Sequence, residues 1–299
     1  MTDTTTLTPP DPSTGPSTGS GQATGAGAEP PAPRPGGAAK TIAILTAITG
    51  AVILFISVAA GVVGIVARAV APERVNDVQT VAASGIDSLD VDAEASSFVI
   101  EFGDVDEATL DITDSRGGWS LQRDGSELTV SRDNPWSDGI SFGDWWGPDE
   151  SVTLTLPTSL QGSLDTDLSL TAGSLEVWGG FGDMNVDVSA GNFELRGEVT
   201  SLGLGVSAGN AEVNADVSTS ASFDISAGYV TSTFAGSAPS DIDIDVSAGH
   251  LALTVPEGTY DVQSNVDGGD LDNRLRPSEG STGTITVDLS AGGVVLDSE

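Results

Sequence analysis

The chain has 299 residues and a formal charge of −34, with 44 acidic side chains against ten basic ones and no cysteine. The missing cysteine excludes disulfides, thiolate metal sites and thiol nucleophiles, and the charge counts against nucleic acid, whose phosphates require a basic footprint. Residues 1–74 balance four acids (Asp3, Asp11, Glu29, Glu73) against four bases (Arg34, Lys40, Arg68, Arg74), so the whole charge falls on the remainder.

Residues 1–39 hold eight prolines and seven glycines with no apolar period, which predicts a disordered tail. Thr41–Ala67 follows, 27 residues without a charge. As a helix it would be roughly 40 Å long, enough to cross a hydrocarbon core of about 30 Å with tilt. A buried core helix seldom runs this far without a polar face. A cleaved signal peptide ending near Ala67-Arg68-Ala69 would need an unusually long n-region. The expectation is a single transmembrane helix over 40–70. Two bases flank each side, so charge does not orient it. A cytoplasmic tail and an extracellular C-terminal domain are expected from the large, acidic, cysteine-free repeat region.

A linker is expected over 71–84 and a β-repeat domain over 85–299. Apolar and polar residues alternate in Ile86–Asp92, Ser97–Phe102, Thr109–Thr113, Trp119–Gln122, Leu128–Ser131 and Ser151–Leu156, the period of half-buried strands. Turn formers such as Asp124-Gly125 separate them. Between Asp133 and Gly147 lie Trp136, Trp145 and Trp146, three of the five tryptophans. This segment either caps an edge of the β domain or offers an aromatic contact to a glycan, lipid or protein.

From residue 171 onward a corner recurs: Thr171-Ala172-Gly173, Ser189-Ala190-Gly191, Ser207-Ala208-Gly209, Ser226-Ala227-Gly228, Ser247-Ala248-Gly249, Asp267-Gly268-Gly269 and Ser290-Ala291-Gly292. A period near twenty residues marks a stacked repeat. Around the corner, alternate places are apolar in most copies. Leu170, Val188, Val206, Ile225, Val246, Val266 and Leu289 precede it; Leu175, Phe193, Ala211, Val230, Leu251, Leu271 and Val294 follow. Ser232, Ser264 and Asn273 depart from the apolar columns. Each copy is therefore strand, corner, strand. The small Ala is expected in a crowded inner bend, and Gly at angles that a Cβ would hinder. Val91–Phe98 aligns with Val186–Phe193 as a degenerate first copy. Two all-β arrangements satisfy these columns: a β-solenoid of about 20-residue repeats, favoured by the near-constant register, and an antiparallel β-sandwich whose corners are hairpins.

These corners, preceded by Val152-Thr153-Leu154-Thr155-Leu156-Pro157, resemble the DUF4097 putative-adhesin family of bacterial β-repeat proteins over residues 85–298. The resemblance implies a single-stranded right-handed β-helix that follows a membrane segment, and it implies no catalytic residues. Lys40 is the only lysine beside abundant Ala, Gly, Val and Asp, a composition expected of an actinobacterium.

Gly205-Val206-Ser207-Ala208-Gly209 has the G-x-S-x-G form, but that elbow needs a strand-to-helix turn and a histidine partner. The single histidine, His250, sits one place after a corner, where it should face solvent. Gly203-Leu204-Gly205 mimics a dinucleotide fingerprint without a βαβ unit. Asp187, Asp224, Asp245 and Asp288 share one outward column, which reads as a solvated acidic face or as weak Ca²⁺ ligands. No catalytic residue and no cofactor is expected. The expected protein is membrane-anchored, non-enzymatic and displayed at the cell surface. Its role is adhesive or structural, towards a glycan or protein, with an envelope-stress sensor as the alternative.

Overall fold

Residues 75–115, 118–132, 150–276, 280 and 283–299 are described by the computed structural model, all within the unit Ala69–Glu299. The tail, the apolar span of 40–70 and Trp136, Trp145 and Trp146 lie outside the described residues. Among the described residues no helix is long and apolar enough to cross a membrane. Their helical content is one 3-10 turn, Thr158–Leu160.

The alternating segments become strands, and the described residues form an all-β domain. In the first part run β1 (Val75–Ala82), β2 (Ser88–Gly103), β3 (Glu107–Ser115), β4 (Trp119–Asp124), β5 (Glu127–Arg132) and β6 (Ser151–Pro157). The repeats supply β7 (Asp165–Val188), β8 (Asn192–Val206), β9 (Asn210–Ile225), β10 (Tyr229–Ala235), β11 (Asp241–Val246) and β12 (Gly249–Val255). The chain continues through β13 (Tyr260–Val266), β14 (Asp270–Asn273), β15 (Gly283–Leu289) and β16 (Gly292–Ser298). All belong to one mixed sheet. Strand β1 occupies residues expected as linker. It pairs antiparallel with β3, and its Gln79 side chain donates to the Trp119 carbonyl at 2.9 Å and accepts from the Leu121 N–H at 2.8 Å.

Among the described residues antiparallel pairing is confined to β1–β3, β3–β6 and the β4–β5 hairpin. Every other pair is parallel. Strands on either side of a corner do not form a hairpin: Asn192 at the start of β8 pairs with Asn210 at the start of β9, one repeat later. The antiparallel sandwich is therefore not what forms. Parallel register also explains the columns. Leu175, Phe193, Ala211, Val230, Leu251 and Val294 lie side by side across β7, β8, β9, β10, β12 and β16. All six are buried, each gaining on the order of 1.5–3 kcal/mol except the smaller Ala211. Val91 pairs with Leu168 and Phe98 with Leu175, so the degenerate first copy takes the place its alignment predicts.

The corners stack through their backbones. The N–H groups of Ser189, Ser207, Ser226, Ser247 and Ser290 donate to carbonyls of Leu170, Val188, Val206, Ile225 and Val246, at 2.8–2.9 Å. Two expectations need correction. Ala190, Ala208, Ala227, Ala248 and Ala291 are exposed, not packed in an inner bend. Gly191, Gly209, Gly228 and Gly249 need no unusual backbone angle. A Cβ on Gly209 would lie 2.6 Å from the Gly191 carbonyl oxygen, and one on Gly228 2.8 Å from that of Gly209. The glycine thus lets one corner approach the next, whereas Gly173, Gly269 and Gly292 combine that approach with positive φ.

The last layers do not follow chain order. Beyond β11 and β12 comes β15–β16, and β13–β14 lies outside it. Asp241 pairs with Thr284 and Gly249 with Gly292, while Tyr260 pairs with Gly283 and Asp270 with Gly293. Ser264 and Asn273 occupy apolar columns but pair with Val287 and Leu296 from the outermost layer, where both are exposed. Their polarity belongs to an end strand facing water.

Candidate interaction faces

Parallel register turns each outward position into a row of like side chains, about 4.8 Å apart. On one face the row Asp187, Gly205, Asp224, Asp245, Asp288 and Asn265 runs across β7, β8, β9, β11, β15 and β13. The four predicted aspartates do share a column, but Gly205 separates Asp187 from the other three. Asn265 ends the row, its amide donating to Asp288 Oδ1 at 3.2 Å. Beside it stand Asp243 and Asp241 on β11, and Asp90 and Asp92 on β2, opposite Asp167 and Ser169. Among the described residues no three acidic or histidine side chains converge to hold a metal ion.

Crowded carboxylates favour the protonated form. Asp90 is pushed up to about 6, first by burial and then by Glu127, Asp167 and Asp92. Burial raises Asp92, and burial followed by Asp224 and Asp167 raises Asp187. Asp243 and Asp245 are raised by burial first, then by Asp241 and Asp224 respectively. Asp187, Asp243 and Asp245 remain exposed, so water screens much of their repulsion.

This face also explains the two sequence motifs that mimic enzyme sites. A Cβ on Gly203 would meet Asn185 Oδ1 at 2.7 Å, and one on Gly205 would meet Asp187 Oδ1 at 2.6 Å. Both glycines leave room for polar side chains of the preceding layer. Ser207 then sits on an exposed corner between β8 and β9, with no helix after it.

The opposite outward rows differ in chemistry. Ser174, Asn192, Asn210, Tyr229 and His250 stack in register, with Glu176, Glu194, Glu212 and Thr231 beside them. Asn210 donates its amide to Asn192 Oδ1 at 3.1 Å, and Asn214 donates to Glu212 Oε1 at 2.9 Å. His250 faces solvent as expected, its ring 6.2 Å from that of Tyr229. The Arg196 guanidinium lies 5.2 Å from the Trp178 ring centroid and pairs with Glu194. These rows line a shallow trough of about 450 Å³. Tyr229 is 70 % exposed and Trp178 41 % exposed. Apolar columns alone do not reveal this face. Its signal was present in Glu176, Glu194 and Glu212, each three residues after a corner glycine.

The stem of the tryptophan segment is held by other residues. Arg132 pairs with Glu150 at 3.1 Å, the Trp119 indole N–H donates to the same carboxylate, and Arg132 lies 5.7 Å from the Trp119 ring centroid. Trp119 is buried against Phe98, with ring centroids 5.5 Å apart.

No family model and no curated protein matches the chain. Among solved structures it is similar to a putative cell adhesion protein from Clostridium sporogenes, at 12% identity and a TM-score of 0.37, covering 76% of this chain and 100% of that one. It is also similar to a putative adhesin from Bacteroides fragilis, at 15% identity and 0.38, covering 76% and 98%. A third is a putative lipid binding protein from Parabacteroides distasonis, at 14% identity and 0.37, covering 73% and 96%.

Proposed function

We propose that the protein is a membrane-anchored, non-enzymatic cell-surface β-solenoid of the DUF4097 type, whose asparagine–glutamate face makes adhesive contact. One observation carries this reading. Trp178 and Tyr229 are left in solvent on the same polar, in-register face, and exposed aromatic side chains bounded by polar groups are favoured anchors of interfaces. The aspartate face is a poorer candidate, since neither of these exposed aromatic side chains stands in its rows. The span 41–67 supplies the anchor, at a length suited to a bilayer.

The test uses cells that display the full chain, allowed to settle on mucin-coated and bare surfaces. Trp178→Ala with Tyr229→Ala should reduce retention on the coated surface while leaving surface display and Tm unchanged. Retention equal to that of the unaltered chain removes this face from the function. A C-terminal domain that added protease cuts only after lysis removes the extracellular placement.

A further inference from the structure

The end of the repeat region is assembled from a strand pair that arrives out of turn. After β12 the chain goes on to β13 and β14, leaves one layer position empty, and fills it only with β15–β16. That pair lies between two partners. Ile285 pairs with Ile242 on one side and Val262 on the other; Val294 pairs with Leu251 and Leu271.

The two partners contribute unequally. Inward from β15–β16 come Ile285, Val287, Leu289, Val294 and Leu296, each at most 2% exposed. At the matching places, β13–β14 offers Val262 and Leu271, both half-buried, and Ser264, Val266 and Asn273, all exposed. Moving β13–β14 in one layer over β11 and β12 would therefore put the Ser264 hydroxyl and the Asn273 amide at apolar places. Until β15–β16 seats, Ile242, Ile244, Val246, Leu251 and Leu253 have no apolar neighbour on that side and the β11–β12 edge is unpaired.

We infer that this slot takes a β15–β16 strand pair from a second copy of the chain as well as from its own, so that copies are joined by exchange of one layer. A second copy presents the same register, the same five apolar side chains and the same corner glycine. Gly292 is required there because a Cβ would lie 2.0 Å from the Gly249 carbonyl oxygen. Proximity within one chain favours self-insertion, so joining depends on chain concentration while the layer is unseated.

The chain has no cysteine, so introduced thiols report the exchange directly. Asp243 and Thr286 pair in register between β11 and β15, within reach of a disulfide. Full-length Asp243→Cys and Thr286→Cys chains with different affinity tags are unfolded together in detergent, refolded at rising concentration and oxidised. The expected result is a doubly tagged, disulfide-linked band at twice the chain mass, which grows with concentration and is absent when the two are mixed already folded. The Asp243→Cys/Thr286→Cys double variant should close its disulfide within one chain. If it does so while co-refolded single variants yield no 243–286 link at any concentration, the inference is overturned. The in-register pair Asp245→Cys and Asp288→Cys provides the same comparison should the first pair fail to close.

Discussion

Replacing Asp90 by asparagine isolates the electrostatic cost of the aspartate face. Asp90 pairs with Thr129 on one side and Asp167 on the other, and its carboxyl is pushed up to about 6 from 3.8. The folded state thus holds this proton more tightly than the unfolded chain, so stability rises as pH falls between these values. Above pH 6 the ionised carboxylate burdens the fold; below 3.8 both states are protonated and the burden is gone. About two units at 1.36 kcal/mol each set a ceiling near 3 kcal/mol. Asp90 is only half-buried, and discounting for solvent screening leaves about 1–2 kcal/mol. Asp90→Asn removes the charge and keeps the shape. Urea unfolding followed by tryptophan fluorescence should therefore show the variant more stable by that amount at pH 7.5, with the two chains converging near pH 4. High salt should narrow the gap only in part, because screening weakens the repulsion from Glu127, Asp167 and Asp92 but not the cost of burial. A variant less stable at pH 7.5, or a gap that persists unchanged to pH 4, would refute the reasoning.

Four further substitutions probe the frame. Gly209→Ala places a Cβ against the Gly191 carbonyl and 3.1 Å from Val188 Cγ1, and should cost about 2–4 kcal/mol in urea unfolding. Gly125→Ala, with open space but a φ of 63°, should cost about 1 kcal/mol by the same measurement. Glu150→Ala leaves the half-buried Arg132 and the Trp119 indole without their shared acceptor, and should destabilise by about 2–3 kcal/mol, read as a lowered Tm. Ser232→Ala removes a fully buried hydroxyl that has no hydrogen-bond partner among the described residues, and should raise stability by about 1 kcal/mol, measured calorimetrically.

Much of the all-β frame is legible in the sequence because parallel register repeats one environment at every layer. Val188, Val206 and Ile225 are interchangeable side chains in one buried column, and the Gly191–Gly209–Gly228 series marks where layers come closest. The candidate face is harder to read. Its glutamates and asparagines look like any solvated strand surface until Trp178 and Tyr229 are placed on the same side as the rows. Strand β1 was missed for a different reason. Its sequence VNDVQTVA has too few alternating apolar residues to announce a strand, and its place depends on pairing with β3 and on the Gln79 side chain.

Layer order shows most clearly what columns can and cannot specify. Equivalence of position depends on side-chain chemistry, and β13–β14 and β15–β16 present the same strand–corner–strand register. Which lies outermost is decided by Ser264 and Asn273, which tolerate water where Val287 and Leu296 do not. Simple chain order would bury those two polar groups beneath the final apolar layer and leave Ile285, Val287 and Leu289 on an open edge. Insertion exchanges the two, covering the apolar layer with the polar one. The departures from the repeat therefore mark the end of the stack even though they lie before the end of the sequence. A polar residue in an otherwise apolar column is evidence for an outer layer when several such residues share one copy, as Ser264 and Asn273 do. Ser232, alone among apolar neighbours in its copy, remains buried.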